Sequence, residues 1–391
     1  MASPDRYPVG AGVTVEQLDA DPHPVLARLR EREPVSWIPV LDGWLVTRHD
    51  LALTAMRDAS TFTVDDPRFS TARVIGPSML SLDGDEHARH RTPFVAPFRS
   101  VAVRERFAQA AAQEAWRLID GLRRGGTEAE LRRAFAGPLA AAIVTRALGL
   151  EAGEVPAVLR WYEAIVSTVT KITAGAEVDA EGRLAFSALS ERLSAVIEEP
   201  GSDSLLAAAA QSTELSREQI VSNAAVLLFG GIETTEGMIA GALLHLLQRT
   251  DRLKLIRSQP DLLDAAIEES LRLEPAAAVI DRYATRETTL GNAQIARGEL
   301  VRLSIAAANR DPAVFGDPDQ FDLQRPNTRR HLAFAQGPHV CVGVHLARLE
   351  TRTGLAVLIE ALPGLRLDPE RLSEFRGLVF RKPAALHVNW E

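Results

Sequence analysis

Phe334-Ala335-Gln336-Gly337-Pro338-His339-Val340-Cys341-Val342-Gly343 carries the only cysteine in a chain of 391 residues. One thiol cannot close an internal disulfide, complete a four-thiolate zinc site or hold an iron–sulfur cluster. It can still serve as the single axial thiolate of a haem. Gly337, Pro338 and Gly343 predict a tight loop in which backbone amides approach a sulfur closely. Directly after it, Val344-His345-Leu346-Ala347-Arg348-Leu349-Glu350 opens a helical pattern that runs to Leu362 and stops at Pro363-Gly364. Cys341 is therefore expected at a helix N-terminus, where free N–H groups and the helix dipole favour a negative sulfur. The competing reading is a small buried hydrophobe, the ordinary fate of a free cysteine.

Upstream, residues 216–249 form the longest helical pattern. Ser216-Arg217-Glu218-Gln219 reads as a capping box, and about 34 residues at 1.5 Å each would span about 50 Å. Ala224-Ala225-Val226-Leu227-Leu228-Phe229 is apolar all round, which places the helix through the middle of the molecule. Gly230-Gly231-Ile232-Glu233-Thr234-Thr235 then interrupts that run. Two interior glycines cost roughly 1 kcal/mol each, and a buried Glu233 costs more unless it is paired or solvated. Local conflicts of this kind concentrate at functional sites; a simple kink is the alternative.

Helical patterns also cover 101–124, 138–148, 184–198, 262–273 and 344–362. Residues 34–38 and 44–47 read as strand, turn, strand, and 289–304 as a second strand-rich patch. The expectation is a mainly α, α+β architecture in one domain, 1–391, since neither repeats nor low-complexity linkers divide it. Composition, 46% hydrophobic and 25% charged, is that of an ordinary globular protein. A net charge of −8 predicts no general attraction to nucleic acid or anionic membrane. No apolar stretch approaches the roughly 20 residues of a membrane span, and residues 1–8 lack the apolar core of a signal peptide. A cytoplasmic location is expected.

Phe-x-x-Gly-x-His-x-Cys-x-Gly, set by Phe334, Gly337, His339, Cys341 and Gly343, resembles the haem-binding loop of the cytochromes P-450, here of the soluble bacterial type. The resemblance runs from about Pro22 to the C-terminus. It implies the P-450 fold, a long central helix with small β-sheet patches around a buried haem b, and makes Cys341 the thiolate ligand to iron. Gly230-Gly231-Ile232-Glu233-Thr234 resembles the family's oxygen-activation segment. By that resemblance Gly230 and Gly231 clear space for dioxygen and substrate, and Glu233 and Thr234 are the acid–alcohol pair that relays protons. Glu269 and Arg272 match the Glu-x-x-Arg pair, with Arg325 as its third partner in a structural network under the haem loop. His87 and Arg91, with Arg282 and His339, match positions that meet the haem propionates. Pro93, two residues beyond Arg91, is expected to kink or end that helix. Gly230 in place of the usual Ala, and Ala335 in place of a common Gly, remove no reacting group.

The activity so implied is a monooxygenase that inserts one oxygen atom from O2 into an organic substrate. A peroxide-driven peroxygenase or an oxidative-coupling enzyme would share the fold, though the Glu233–Thr234 pair favours dioxygen. A non-catalytic haem sensor and a Cys/His hydrolase built on Cys341 with His339 or His345 belong to other classes. The chain has no Gly-x-Gly-x-x-Gly fingerprint and no cysteine cluster. Electrons are therefore expected from separate proteins, by family analogy a ferredoxin or flavodoxin with its NAD(P)H reductase. Arg99, Arg104, Arg106, Arg329 and Arg330 are candidate contacts for such an acidic partner. Pocket segments by resemblance are 62–79, 161–172, 225–234, 276–280 and 377–380, largely apolar, which points to a mostly apolar small molecule. Arg68 and Arg73 could meet a carboxylate or simply be solvated.

Overall fold

The computed structural model describes residues 6–173, 177, 179–199, 204–211 and 214–391. Residues 1–5, most of the segment read for a signal peptide, lie outside the described residues. The helices that build the site are α1 (Gly84–Val95), α2 (Ser100–Gly125), α3 (Gly137–Ala147), α4 (Val155–Thr173), α5 (Ala180–Glu198), α6 (Arg217–Leu247), α7 (Leu263–Leu273) and α8 (Val344–Ala361). Where the sequence predicts a helix, the observed bounds agree within a few residues. The predicted strand-rich patch resolves into a hairpin, Thr288–Leu290 with Ala293–Ile295, followed by a longer strand.

That strand, β5 (Leu300–Ser304), joins β1 (Val35–Ile38), β2 (Gly43–Val46), β3 (Phe62–Thr63) and β4 (Val279–Ala284) in a sheet ordered β1-β2-β5-β4-β3. Only β2 and β5 run parallel, with Trp44 opposite Val301; the other pairs are antiparallel. The sheet places Arg282 of β4 opposite Val301. It thereby fixes the direction from which one cation approaches the centre.

Helix α6 is the spine. Ser216 accepts from the Gln219 N–H while the Gln219 side chain accepts from the Ser216 N–H, the expected capping box. At 31 residues the helix is about 46 Å long, and it is continuous through Gly230 and Gly231. Thr234 donates its hydroxyl to the Gly230 carbonyl at 2.6 Å, a back-bond that spares this turn an unmet side-chain donor. From 220 to 247 every residue is buried except Gly230, Gly231 and Thr234. One correction follows: by length and composition α6 is apolar enough to cross a membrane, although 78% of its most apolar stretch is buried inside the protein.

Pro93 lies in the last turn of α1, close to where the helix ends. Proline deletes one N–H and crowds one turn, but α1 ends two residues later and passes into a short 3-10 turn, Ala96–Phe98. Little helix remains to be broken.

Two segments far apart in sequence are clamped by Arg381. Its guanidinium reaches Glu274 at 2.8 Å, the Asp19 carbonyl at 2.7 Å and the Ala20 carbonyl at 2.9 Å. The turn before it is set by Gly377, at φ +115°, where a Cβ would fall 1.9 Å from the Phe380 carbonyl oxygen. Only glycine fits there.

Candidate active site

The cysteine loop is closed by its backbone: the Cys341 N–H donates to the Phe334 carbonyl at 2.9 Å. Gly337 has φ +74°, and a Cβ there would meet the Met56 carbonyl at 2.5 Å, so glycine is required. Gly343 is the N-cap of α8 at an ordinary φ of −84°, and Cys341 precedes it by two residues. Cys341 is accessible, yet the protein packed around it pushes the thiol up, while the Gly343 N–H and the Arg91 and Arg348 guanidiniums pull it down. Ala335 stands in the left-handed region at φ +56°, where the Cβ costs roughly 1 kcal/mol. Ala335→Gly is therefore expected to stabilise the protein, by up to about 1 kcal/mol after the entropy of the unfolded glycine is subtracted. The check is the denaturant midpoint of the two variants; an unchanged or lowered midpoint would show that the loop carries no such strain.

Beneath the loop, Arg272 grips Glu269 with two N–H···O bonds of 2.8 and 2.7 Å, and both side chains are fully buried. Arg325 adds a third bond to Glu269 at 3.0 Å. The remaining guanidinium donors bind the carbonyls of Asn309, Pro318 and Gln320 from Arg272, and of Gly316, Asp317 and Gln320 from Arg325. Asn309 in turn accepts from the Leu332 N–H at 2.7 Å. The network thus anchors the segment that leads into the cysteine loop.

A parallel brace escaped the sequence reading. Glu268, next to Glu269, takes a bidentate grip from Arg348 at 2.7 Å on each oxygen and a contact from His331 at 3.2 Å. Burial pushes its carboxyl up, but His331 and Arg348 outweigh that and bring it down to about 2. The Arg348 guanidinium also lies 4.7 Å over the Phe334 ring. Through Phe334 it touches the loop itself.

The predicted propionate contacts converge. The His87 and His339 rings lie 4.3 Å apart, and Arg91 donates to the Val340 carbonyl at 2.5 Å. Arg282 is buried and donates to the Asp281 carbonyl at 2.7 Å. His339 holds Asp83 at 2.7 Å and so has a carboxylate of its own. His87 does not: its Nε2 is buried without a partner, and burial, then His339 and Arg91, lower it to about 4. Burial also lowers Arg91 and Arg282. A buried polar orphan near the Arg91 guanidinium suits an anion, and carboxylates such as the propionates of haem b meet that need.

On α6, the Glu233 carboxylate turns away from the accessible stripe. Tyr162 of α4 donates its hydroxyl to Glu233 Oε2, and Lys382 pairs with Oε1 at 2.8 Å. The same ammonium pairs with Glu236 at 2.8 Å, and Glu236 accepts from Arg132 at 3.2 Å. Tyr162, Glu236, Lys382 and Arg132 were not anticipated from the sequence. The pocket segments do meet α6. Ser222 bonds the Ile75 carbonyl, Asn223 accepts from the Met79 N–H, and Phe380 packs edge-on against Phe229 with ring centres 5.4 Å apart. Phe380 also bridges Ala277. Arg68 is occupied by Asp66 and Arg73 by Glu177, which favours the solvated reading.

A single thiol on a rigid loop, cations gathered beside it and a glycine-opened helix together define a haem-thiolate protein, with haem b held by Cys341. A family model described as Cytochrome P450 matches residues 190–363. Nocardicin C N-oxygenase of Nocardia uniformis subsp. tsuyamanensis is 34% identical, over 98% of this chain and 98% of its own length. Mycinamicin IV hydroxylase/epoxidase of Micromonospora griseorubida is also 34% identical, over 93% of this chain and 94% of its own length. Among solved structures, P450BioI in complex with an acyl carrier protein matches with a TM-score of 0.86 and 27% identity, covering 95% of this chain and 99% of that one. The chain belongs to the cytochrome P-450 family, and its activity is that of a haem-thiolate monooxygenase acting with O2 on an organic substrate.

Proposed function

We propose that Glu233 and Thr234 carry the proton relay of this monooxygenase, and that residues 1–391 work as one haem domain. The supporting observation is the pattern on α6: three accessible positions, Gly230, Gly231 and Thr234, in the otherwise buried stretch 220–247, with a buried carboxylate at Glu233 between them in sequence. Haem b, when bound, supplies the activation of dioxygen and the transfer of one oxygen atom. The chain supplies the rest. Cys341 would ligate the metal, with Phe334 and Gly343 framing the sulfur and Gly230 and Gly231 leaving room on the opposite side. His87, Arg91 and Arg282, with His339, would hold the propionates. Glu269, Arg272 and Arg325 keep the loop in place. Thr234 has a hydroxyl whose lone pairs can orient a water, and Glu233 is the nearest acid in sequence to recharge it.

The substrate would be a mostly apolar small molecule, received between Phe380, Phe229 and the segments around Ile75 and Met79. The relatives named above, an N-oxygenase and a hydroxylase/epoxidase, show that one scaffold of this kind serves different oxygen insertions. Electrons would come from a ferredoxin or flavodoxin with its reductase. Arg99, Arg104, Arg329 and Arg330 are exposed and suit an acidic surface; Arg106 is half-buried and lies near the Phe107 ring. A cytoplasmic location accords with such partners.

Thr234→Ala is expected to leave haem binding intact while sending electrons into peroxide, so that product per NAD(P)H falls by roughly tenfold or more. Peroxide and product are both measured during turnover. Unchanged coupling would remove Thr234 from the relay.

A further inference from the structure

We infer that Glu236 is a second proton station, filled from solvent and emptied into Glu233 through the Lys382 ammonium. The inference rests on the reading of Glu233 as a proton donor. Glu233 and Glu236 are three residues apart and share one face of α6. Both carboxylates are buried, their side chains 6% and 8% exposed, and both contact the same Lys382 Nζ at 2.8 Å. Two like charges so close, with so little water, are costly to hold. One ammonium bridging them, with three N–H bonds to share, turns that cost into a path.

The other end of the cluster opens outward. Lys382 and Arg132 side chains are 17% and 16% exposed, and the Arg132 backbone N–H donates at 2.9 Å to Glu130, which lines a surface groove with Arg133 and His387. Burial raises the Glu236 carboxyl even though Lys382 and Arg132 oppose it, and the Glu233 charge adds to the rise. Glu236 therefore keeps a proton to higher pH than an ordinary carboxyl does. Tyr162 plays a different part. Burial, the Glu233 charge and its bond to Glu233 push its phenol far up, so it stays protonated and only orients Oε2.

The transfer balances without any further reactant. An N–H bond of Lys382 breaks as an O–H bond forms on Glu233 Oε1. The O–H bond of Glu236 Oε2 breaks as the N–H bond is restored. One proton has moved from Glu236 to Glu233, the ammonium is unchanged, and water reaching the part-exposed Lys382 and Arg132 reprotonates Glu236.

The test compares haem-loaded wild type, Glu236→Gln, Glu236→Asp, Lys382→Met and Glu233→Gln. Glu236→Gln is expected to lower product per electron pair by roughly tenfold and to flatten its pH profile; Lys382→Met does the same by removing the bridge. In the resting protein, the wild-type minus Glu236→Gln infrared difference spectrum, followed with pH, should contain the C=O stretch of a buried protonated carboxyl; burial also raises the Glu350 carboxyl, whose band cancels in that difference. Glu236→Asp, which keeps the acid, should restore both readouts. If Glu236 only balances charge, Glu236→Gln shifts the melting temperature and leaves coupling, pH profile and infrared band alone; that result overturns the inference while Glu233→Gln still uncouples. If Glu233→Gln is silent too, the relay reading itself fails and takes the second station with it.

Discussion

Cys341→Ala is expected to abolish the thiolate-type Soret shift of the reduced carbon monoxide complex and to reduce monooxygenase activity to the limit of detection. No other residue can take over, because the chain has no second thiol. An imidazole from His339 or His345 would be a neutral ligand and a weaker electron donor. The fold should survive, since the loop is closed by the Cys341 backbone N–H to Phe334 and by Gly337, neither of which needs the side chain. Circular dichroism and the melting temperature separate loss of ligand from loss of structure. Retention of the shifted spectrum by a folded Cys341→Ala protein would sink the assignment.

The second large effect is expected at Arg272. Arg272→Ala leaves Glu269 fully buried with Arg325 as its remaining cation, and leaves the Asn309 and Pro318 carbonyls without the guanidinium that binds them. Breaking one side of a buried ion pair costs about 3–5 kcal/mol, a large part of the total stability of a typical fold. The protein should be recovered in low yield, with haem substoichiometric. Urea unfolding of the soluble fraction, followed by far-UV signal, gives the size of the loss. Arg272→Lys keeps the charge but not the planar fork, so it should fall between the two. An Arg272→Ala protein with full haem and an unshifted midpoint would remove the brace from the account.

What could be read from the sequence was whatever is local or has a fixed spacing. The capping box at Ser216, the all-apolar stretch of α6 and the glycine-punctuated loop at 334–343 are written in adjacent residues. The Glu269–Arg272 pair is likewise an i, i+3 feature, and Arg325 followed from the family resemblance. Helix α4 was not recognised as a helix. Its Ile165-Val166-Ser167-Thr168-Val169-Thr170 is rich in β-branched residues, which lose rotamer freedom in a helix, a cost offset here by tertiary packing. With α4 unread, Tyr162 had no direction in which to point. Glu236 and Lys382 are joined across 146 positions, and no period links them. One hint was present: Lys382 is one of only three lysines, and a lysine in an arginine-rich chain singles out a compact, exchangeable ammonium.

Residues 380, 381 and 382 are consecutive, yet each serves a different wall. Phe380 packs on Phe229, Arg381 clamps Glu274 to the Asp19–Ala20 carbonyls, and Lys382 joins the two acids of α6. Their phase is fixed by the single turn at Gly377. A change of one residue in the length of that turn would rotate all three side chains off their targets at once. Drift in this short stretch is therefore confined to exchanges of residue type, with insertions and deletions barred. New substrate preferences can arise by altering Phe380, whereas remodelling the turn around it would unfasten the N-terminal segment and the acid cluster in the same event.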